Sequence, residues 1–200
     1  MTPQFEPLRI GAMVFPDVDQ ADVTGPFEVL ANLPNSTFHL LWKDLAPVHD
    51  VRGLVLTPDT TFAEAPALDV LVVPGGKGQE ALMHDGAVLA FISDQSAQVK
   101  YILSVCTGAL LCGAAGLLKG KRATTHWASH HLLRYFGAVP VDARVVVDGN
   151  LVTAAGVTSG IDGALRVAAL LRGDHVAQTI QLCIEYDPQP PFPGGSPRTA

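Results

Sequence analysis

Three cysteines are the strongest potential nucleophiles in these 200 residues, and one of them stands where a strand gives way directly to a helix. The segment Ser104–Val105–Cys106–Thr107–Gly108–Ala109 follows the apolar run Tyr101–Val105 and leads without a linker into a helical stretch expected over Thr107–Leu118. A strand that turns sharply into a helix, with a small residue two positions past the turn, pushes the intervening side chain out above the carboxyl ends of the strands. The first helical turn presents unpaired N–H groups and the positive end of the helix dipole, so a sulfur there is expected to ionise more easily than a free thiol. Cys106 is therefore the candidate nucleophile. Cys112 and Cys183 fall inside apolar helical stretches and read as small packed hydrophobes.

A thiolate enzyme also needs groups that stabilise charge and move protons. Pro74–Gly75–Gly76 closes the apolar run Asp69–Val73, and glycine lets a backbone N–H approach a reacting atom. The amides of Gly76 and Thr107 would then make a two-donor pocket for developing negative charge, with Gly75 beside it. A plain turn explains the same residues, and both readings stay open. For the proton, the loop before the first helix offers Asp17, Asp19 and Asp22, with Glu28 just inside that helix. Asp22 ranks first as the acid–base carboxyl and Glu28 second; their ordinary roles would be helix capping and dipole complementation. Asp17 and Asp19 are expected to be solvated. His126 could approach the same edge. It stands four residues before His130, a spacing used by zinc helices, but Trp127 occupies the place of the metalloprotease glutamate and His131 points elsewhere. No metal site is expected.

Positioning these groups requires alternating strands and helices, which the chain supplies. Strands are expected over Arg9–Phe15, Phe38–Lys43, Gly53–Thr57, Asp69–Val73 and Tyr101–Val105, with a short one near Arg122–Thr124. The two central runs, DVLVV and YILSV, are apolar throughout, as parallel strands buried on both faces should be. A hairpin pairs Arg144–Val147 with Leu151–Ala154 across Asp148–Gly149–Asn150. Helices are expected from Gly25–Pro26 to Leu33, over Gly86–Ala97, Trp127–Phe136, Thr158–Leu171 and His175–Glu185. No repeat or internal linker interrupts the pattern. The expectation is one α/β domain over residues 1–200, with a compact core at about 9–186 and an extended Pro/Gly-rich tail at 187–200.

Composition narrows the class further. With 48% apolar and only 16% charged residues the chain suits a compact core with helices on both sides of a sheet. A net charge of −6 without a basic run argues against nucleic acid as a partner. No apolar stretch approaches the 18 or so residues of a membrane span, and Met1–Leu8 lacks the plan of a signal peptide. A cytoplasmic protein with reduced cysteines is expected.

These residues resemble a known family. The SVCTGA elbow, the VVPGG strand end, ADVTGPFEVL, KGKRATTHW and DGNLVTAAGVTSGID look like the DJ-1/PfpI superfamily, with the resemblance running from about Ile10 to Pro197. Asp22–Val23–Thr24–Gly25–Pro26 taken with Cys106–Thr107 and Thr124–Thr125–His126–Trp127 is most similar to the isonitrile (isocyanide) hydratases. The resemblance implies a flavodoxin-like three-layer sandwich with a mostly parallel sheet, a homodimer, and no metal or organic cofactor. It implies Cys106 as nucleophile, Asp22 as acid–base carboxyl and Thr107 as a supporting hydroxyl. The implied reaction adds water to a small-molecule isonitrile through a Cys106 thioimidate, giving an N-substituted formamide. It also implies further helical sequence near Ser196–Pro197, where this chain stops. Two alternatives use the same elbow. One is a glyoxalase- or deglycase-like carbonyl enzyme, from whose relatives Thr107 departs, since a histidine commonly follows the cysteine. The other is a non-catalytic ligand or redox sensor, whose regulator forms carry a helical DNA-binding region of roughly a hundred residues that these 200 residues do not contain.

Overall fold

The computed structural model describes residues 5–195. Strands form at Leu8–Met13 (β1), Ser36–Trp42 (β2), Val48–His49 (β3), Val55–Leu56 (β4), Thr60–Thr61 (β5), Val70–Val73 (β6), Tyr101–Val105 (β7), Arg122–Ala123 (β8), Val139–Pro140 (β9), Val145–Asp148 (β10) and Leu151–Ala154 (β11). Helices form at Ala21–Leu30 (α1), Gln79–Leu82 (α2), Gly86–Ser96 (α3), Gly108–Ala114 (α4), Ser159–Arg172 (α5) and Asp174–Cys183 (α6). Seven strands make one sheet in the order β10-β11-β7-β6-β1-β2-β5, parallel throughout except for the β10–β11 hairpin. β6 is buried at every position, which matches its unbroken Val-Leu-Val-Val run.

Helix α5 packs on α1, β7 and β11, while α4 packs on β6, β7 and α3, so the sheet lies between two helical layers. This is the three-layer, mostly parallel α/β architecture. The buried apolar side chains form one cluster running from Leu8 to Ile180. β1 pairs with β2 on one side and β6 on the other, so the chain reverses its direction of winding beside β1. At such a switch point the loops leaving neighbouring strands splay apart and open a crevice at their carboxyl ends. The loops after β1, β6 and β7 meet there.

Several local expectations change: the helix expected over Thr107–Leu118 spans only Gly108–Ala114, the strand expected over Gly53–Thr57 only Val55–Leu56, and three more differ as follows. Helix α1 begins at Ala21 rather than Gly25, because the Asp19 carboxylate accepts the Ala21 amide (3.1 Å) and starts the turn early. Pro26 therefore lies inside the helix, where it cannot donate to the Asp22 carbonyl. Its ring packs beside Gly160 of α5, where an added Cβ would approach it to 3.3 Å. Trp127–Phe136 winds as a 3-10 helix, not an α-helix. Its run of aromatic, histidine and serine residues gives the α-form little intrinsic support. The hairpin turns on Gly149–Asn150 alone, because Asp148 pairs with Leu151. Residues 187–195 form neither helix nor strand, and what was expected from Ser196 onward lies outside the described residues. Among the described residues no helix is long and apolar enough to cross a membrane.

Candidate active site

Cys106 sits at the top of β7 with φ 55°, a left-handed conformation that a residue with a Cβ adopts at a cost of order 1–3 kcal/mol. The surroundings enforce it. The Cys106 amide donates to the Ala154 carbonyl (3.1 Å), and the Thr125 hydroxyl donates to the Cys106 carbonyl (2.6 Å). Gly108 permits the sharp exit, since a Cβ there would lie 2.0 Å from the Val73 carbonyl oxygen. Cys106 as a whole is only 7% exposed. The amides of Thr107 and Val157 both donate toward the sulfur.

Asp22 reaches the same point from the first turn of α1, with its side chain completely buried. The Gly75 amide donates to Oδ2 at 2.9 Å. Oδ1 has no nitrogen or oxygen partner among the described residues, and the Cys106 thiol is the side chain that reaches the carboxyl. Burial pushes Asp22 from its ordinary 3.8 up to about 7; the Gly75 amide and the thiol pull it down, and the charge of Asp19 pushes it further up. Burial and the Asp22 charge push the Cys106 thiol from 9.0 up to about 12, against the pull of the Thr107 and Val157 amides. Burial and the Asp22 charge thus act against the easily ionised thiol expected from the helix N-terminus. The following helix has only seven residues, and removal from water outweighs what its first amides supply.

Both amides of the expected two-donor pocket, those of Gly76 and Thr107, already have acceptors in this structure. The Gly76 amide donates to Thr107 Oγ1 (3.2 Å), and the Gly75 amide is taken by Asp22. These glycines instead hold the loops together. Gly76 has φ 125°, and a Cβ on it would come within 2.4 Å of the Asp19 amide nitrogen. Asp19 is not solvated either: its carboxylate is only 14% exposed and meets Arg52 at 3.4 Å. Asp17 is exposed. Glu28 is exposed on α1, six residues beyond Asp22 and so turned to another face.

His126 caps the 3-10 helix, its Nδ1 accepting the Ala128 amide (3.4 Å), and His130 Nε2 meets the Val141 carbonyl (3.1 Å). Among the described residues no cluster of three or more potential metal ligands occurs. Cys112 is buried inside α4, as a packed hydrophobe should be, but Cys183 is exposed at the end of α6. The residues that sequence reasoning left without a role are Thr125 and Val157. Both lay in stretches whose pattern attracted notice, but neither type nor spacing marks a hydroxyl aimed at a carbonyl or an amide aimed at a sulfur.

A buried thiol raised on a strand-to-helix elbow, at the switch point of a doubly wound sheet and facing a buried carboxyl, defines a class of cysteine α/β protein. The DJ-1/PfpI family profile matches residues 9–170, and the chain belongs to that family. It is 58% identical over 193 residues to the isonitrile hydratase of Pseudomonas putida, spanning 96% of this chain and 85% of that one. Its fold is similar to a ThiJ/PfpI family protein from Pseudomonas syringae, with a TM-score of 0.95 and 44% identity over 99% of this chain and 83% of that one. DJ-1beta of Drosophila melanogaster shares the fold at a TM-score of 0.82 and 22% identity, over 92% of this chain and all of that one.

Proposed function

We propose that this chain is an isonitrile hydratase, a cofactor-independent enzyme that adds water to R–N≡C to give R–NH–CHO. The observation that carries this reading is the nearly full-length likeness to the Pseudomonas putida isonitrile hydratase. The geometry supports it chemically. Burial favours the protonated form of both groups, pushing the Asp22 carboxyl up to about 7 and the Cys106 thiol up to about 12. An isonitrile carbon must gain both a nucleophile and a proton, so a pair that keeps one proton at neutral pH suits it better than a bare thiolate.

Gly75 holds Oδ2 as an acceptor, which leaves Oδ1 to take the thiol's proton and pass it on. Sγ bonds to the terminal carbon while that proton moves to the same carbon, giving the thioimidate R–N=CH–S–Cys106. Water then adds to the carbon, the nitrogen takes a proton, and the C–S bond breaks. The formamide leaves and the thiol–carboxyl pair recovers its proton, so one water is consumed. Thr107 supports the step indirectly, by holding the Gly76 amide and hence the loop that carries Gly75. The glyoxalase- or deglycase-like reading is weaker here, because the amides of Gly75 and Gly76 that an aldehyde oxygen would use are both engaged.

The same reading includes a cytoplasmic location and a two-fold homodimer. Exposed Leu45, Leu54 and Val55 around β3 and β4 provide apolar surface for a second copy. A monomer mass by light scattering at micromolar concentration would remove the dimer. The activity is tested by formamide release from cyclohexyl isonitrile. The wild type is expected to turn over and Cys106→Ala is not; an inert wild type, or an active Cys106→Ala, would overturn the assignment.

A further inference from the structure

A cavity of about 600 Å³ lies beside the elbow, lined among others by Thr125, His126, Trp127, Ala143 and Val157. Two of these residues touch the nucleophile itself: Thr125 through its hydroxyl on the Cys106 carbonyl, and Val157 through its amide on the sulfur. These two contacts place the cavity next to the elbow, with the Val157 amide between its lining and the sulfur. An isonitrile is linear through R–N≡C, so a carbon at Sγ directs its substituent away from the sulfur. Asp22 and the Gly75 loop lie outside that lining and are tied to each other. A volume of this size is in the range that encloses a drug-sized ligand, roughly 300–1,000 Å³. A methyl group would leave nearly all of it to solvent.

The lining indicates what fills it. Trp127 is 63% exposed, an unusual state for an indole, and its ring centroid lies 5.7 Å from that of His126. The imidazole in turn lies on Gly156, where an added Cβ would meet Cδ2 at 3.2 Å. The rim is held in place: Arg144 donates to Asp162 (2.8 Å) and to Thr158 (3.2 Å). An aromatic face on a fixed frame is preorganised for a flat ring. Resting on the hydratase reading above, we infer that this cavity is the N-substituent subsite, that it selects isonitriles with bulky aromatic substituents, and that Trp127 is its specificity-determining residue.

The test compares 2-naphthyl isonitrile with methyl isonitrile, followed by formamide release, in the wild type, Trp127→Ala and Ala143→Phe. Trp127→Ala removes an exposed ring and Ala143→Phe fills the cavity from its loop. The wild type is expected to favour the naphthyl compound. In each variant the naphthyl-to-methyl ratio of kcat/KM is expected to fall by about tenfold, mainly through KM, as befits a contact remote from the reacting carbon. An unchanged ratio in two folded variants overturns the subsite and leaves the hydratase standing. So does a Trp127→Ala protein that loses dimer mass while keeping its ratio, because the indole then serves a second copy. A wild type inert toward both compounds overturns the hydratase reading and the subsite with it.

Discussion

Cys106 and Cys112 stand six residues apart, one on the elbow and one inside α4, and burial is the main cause of both thiols' rise to about 12. At Cys112 burial is nearly the whole story: the sulfur is surrounded by core, and no carboxyl acts on it. At Cys106 the chain has a left-handed residue, two backbone amides aimed at the sulfur, and a buried acid whose own proton is held until about pH 7. Burial acts on both thiols in the same direction. What separates them is a partner for the proton, and that partner comes from the first turn of α1.

The contrast is easiest to break with alanine. Cys106→Ala is expected to lower turnover of cyclohexyl isonitrile on the order of 10³-fold or more, because the covalent route is lost. Cys112→Ala is expected to leave turnover within about twofold and to cost roughly 1 kcal/mol of stability, as for other small deletions in a core. Equal losses at the two positions would remove the distinction.

A second prediction concerns the acid. Asp22 has a folded pKa raised above its unfolded value, so its contribution is most favourable below pH 4 and is lost as pH rises through about 7. Asp22→Asn escapes this penalty. Its stability advantage over the wild type should be small at pH 4, grow up to pH 7, and level off at no more than about 4 kcal/mol, from 1.36 kcal/mol per pKa unit. Urea denaturation across that range measures it, and an advantage that shrinks with rising pH would contradict the burial of a protonated carboxyl.

The smallest expected effect is at Thr107. Thr107→Val leaves the Gly76 amide without its acceptor and should cost roughly 1 kcal/mol of stability. Turnover should fall much less than in Cys106→Ala, and Thr107→Ser should restore both. A loss in Thr107→Val as large as in Cys106→Ala would place the hydroxyl in the chemistry rather than in the loop's support.

The sequence made one side of the contrast legible. Apolar runs, a strand without a linker and a glycine two residues past Cys106 are local signals, so the elbow and the sheet beneath it could be read directly. The location of Asp22 was also readable, because the loop after the first strand must reach the switch point. The proton state was not. It depends on Gly75, Asp19 and Val157, which stand 31, 87 and 51 residues from Cys106 and meet at the site only through strand order. The local rule about helix N-termini pointed to an ionised thiol, and the burial created by those distant loops works against it. The start of α1 was misplaced for a related reason: Gly25–Pro26 is a strong local signal, but the turn is set by the Asp19 carboxylate and Pro26 packs on Gly160 of α5.

The mechanism makes Asp22 the carrier that passes the thiol's proton to the isonitrile carbon, rather than a base that keeps the resting thiol ionised. Asp22→Asn separates these roles in one protein, by measuring alkylation of Cys106 with iodoacetamide at pH 8 beside formamide release. Loss of the neighbouring charge lets the thiol ionise more readily, so Cys106 is predicted to alkylate faster than in the wild type. Loss of the proton donor is predicted to slow turnover on the order of 10²-fold or more. Labelling is read at Cys106 by peptide mass, since exposed Cys183 reacts independently. Opposite movements of the two rates are the result this account requires. If alkylation and turnover fall together, Asp22 is a base that keeps the resting thiol ionised, and its role as carrier is wrong.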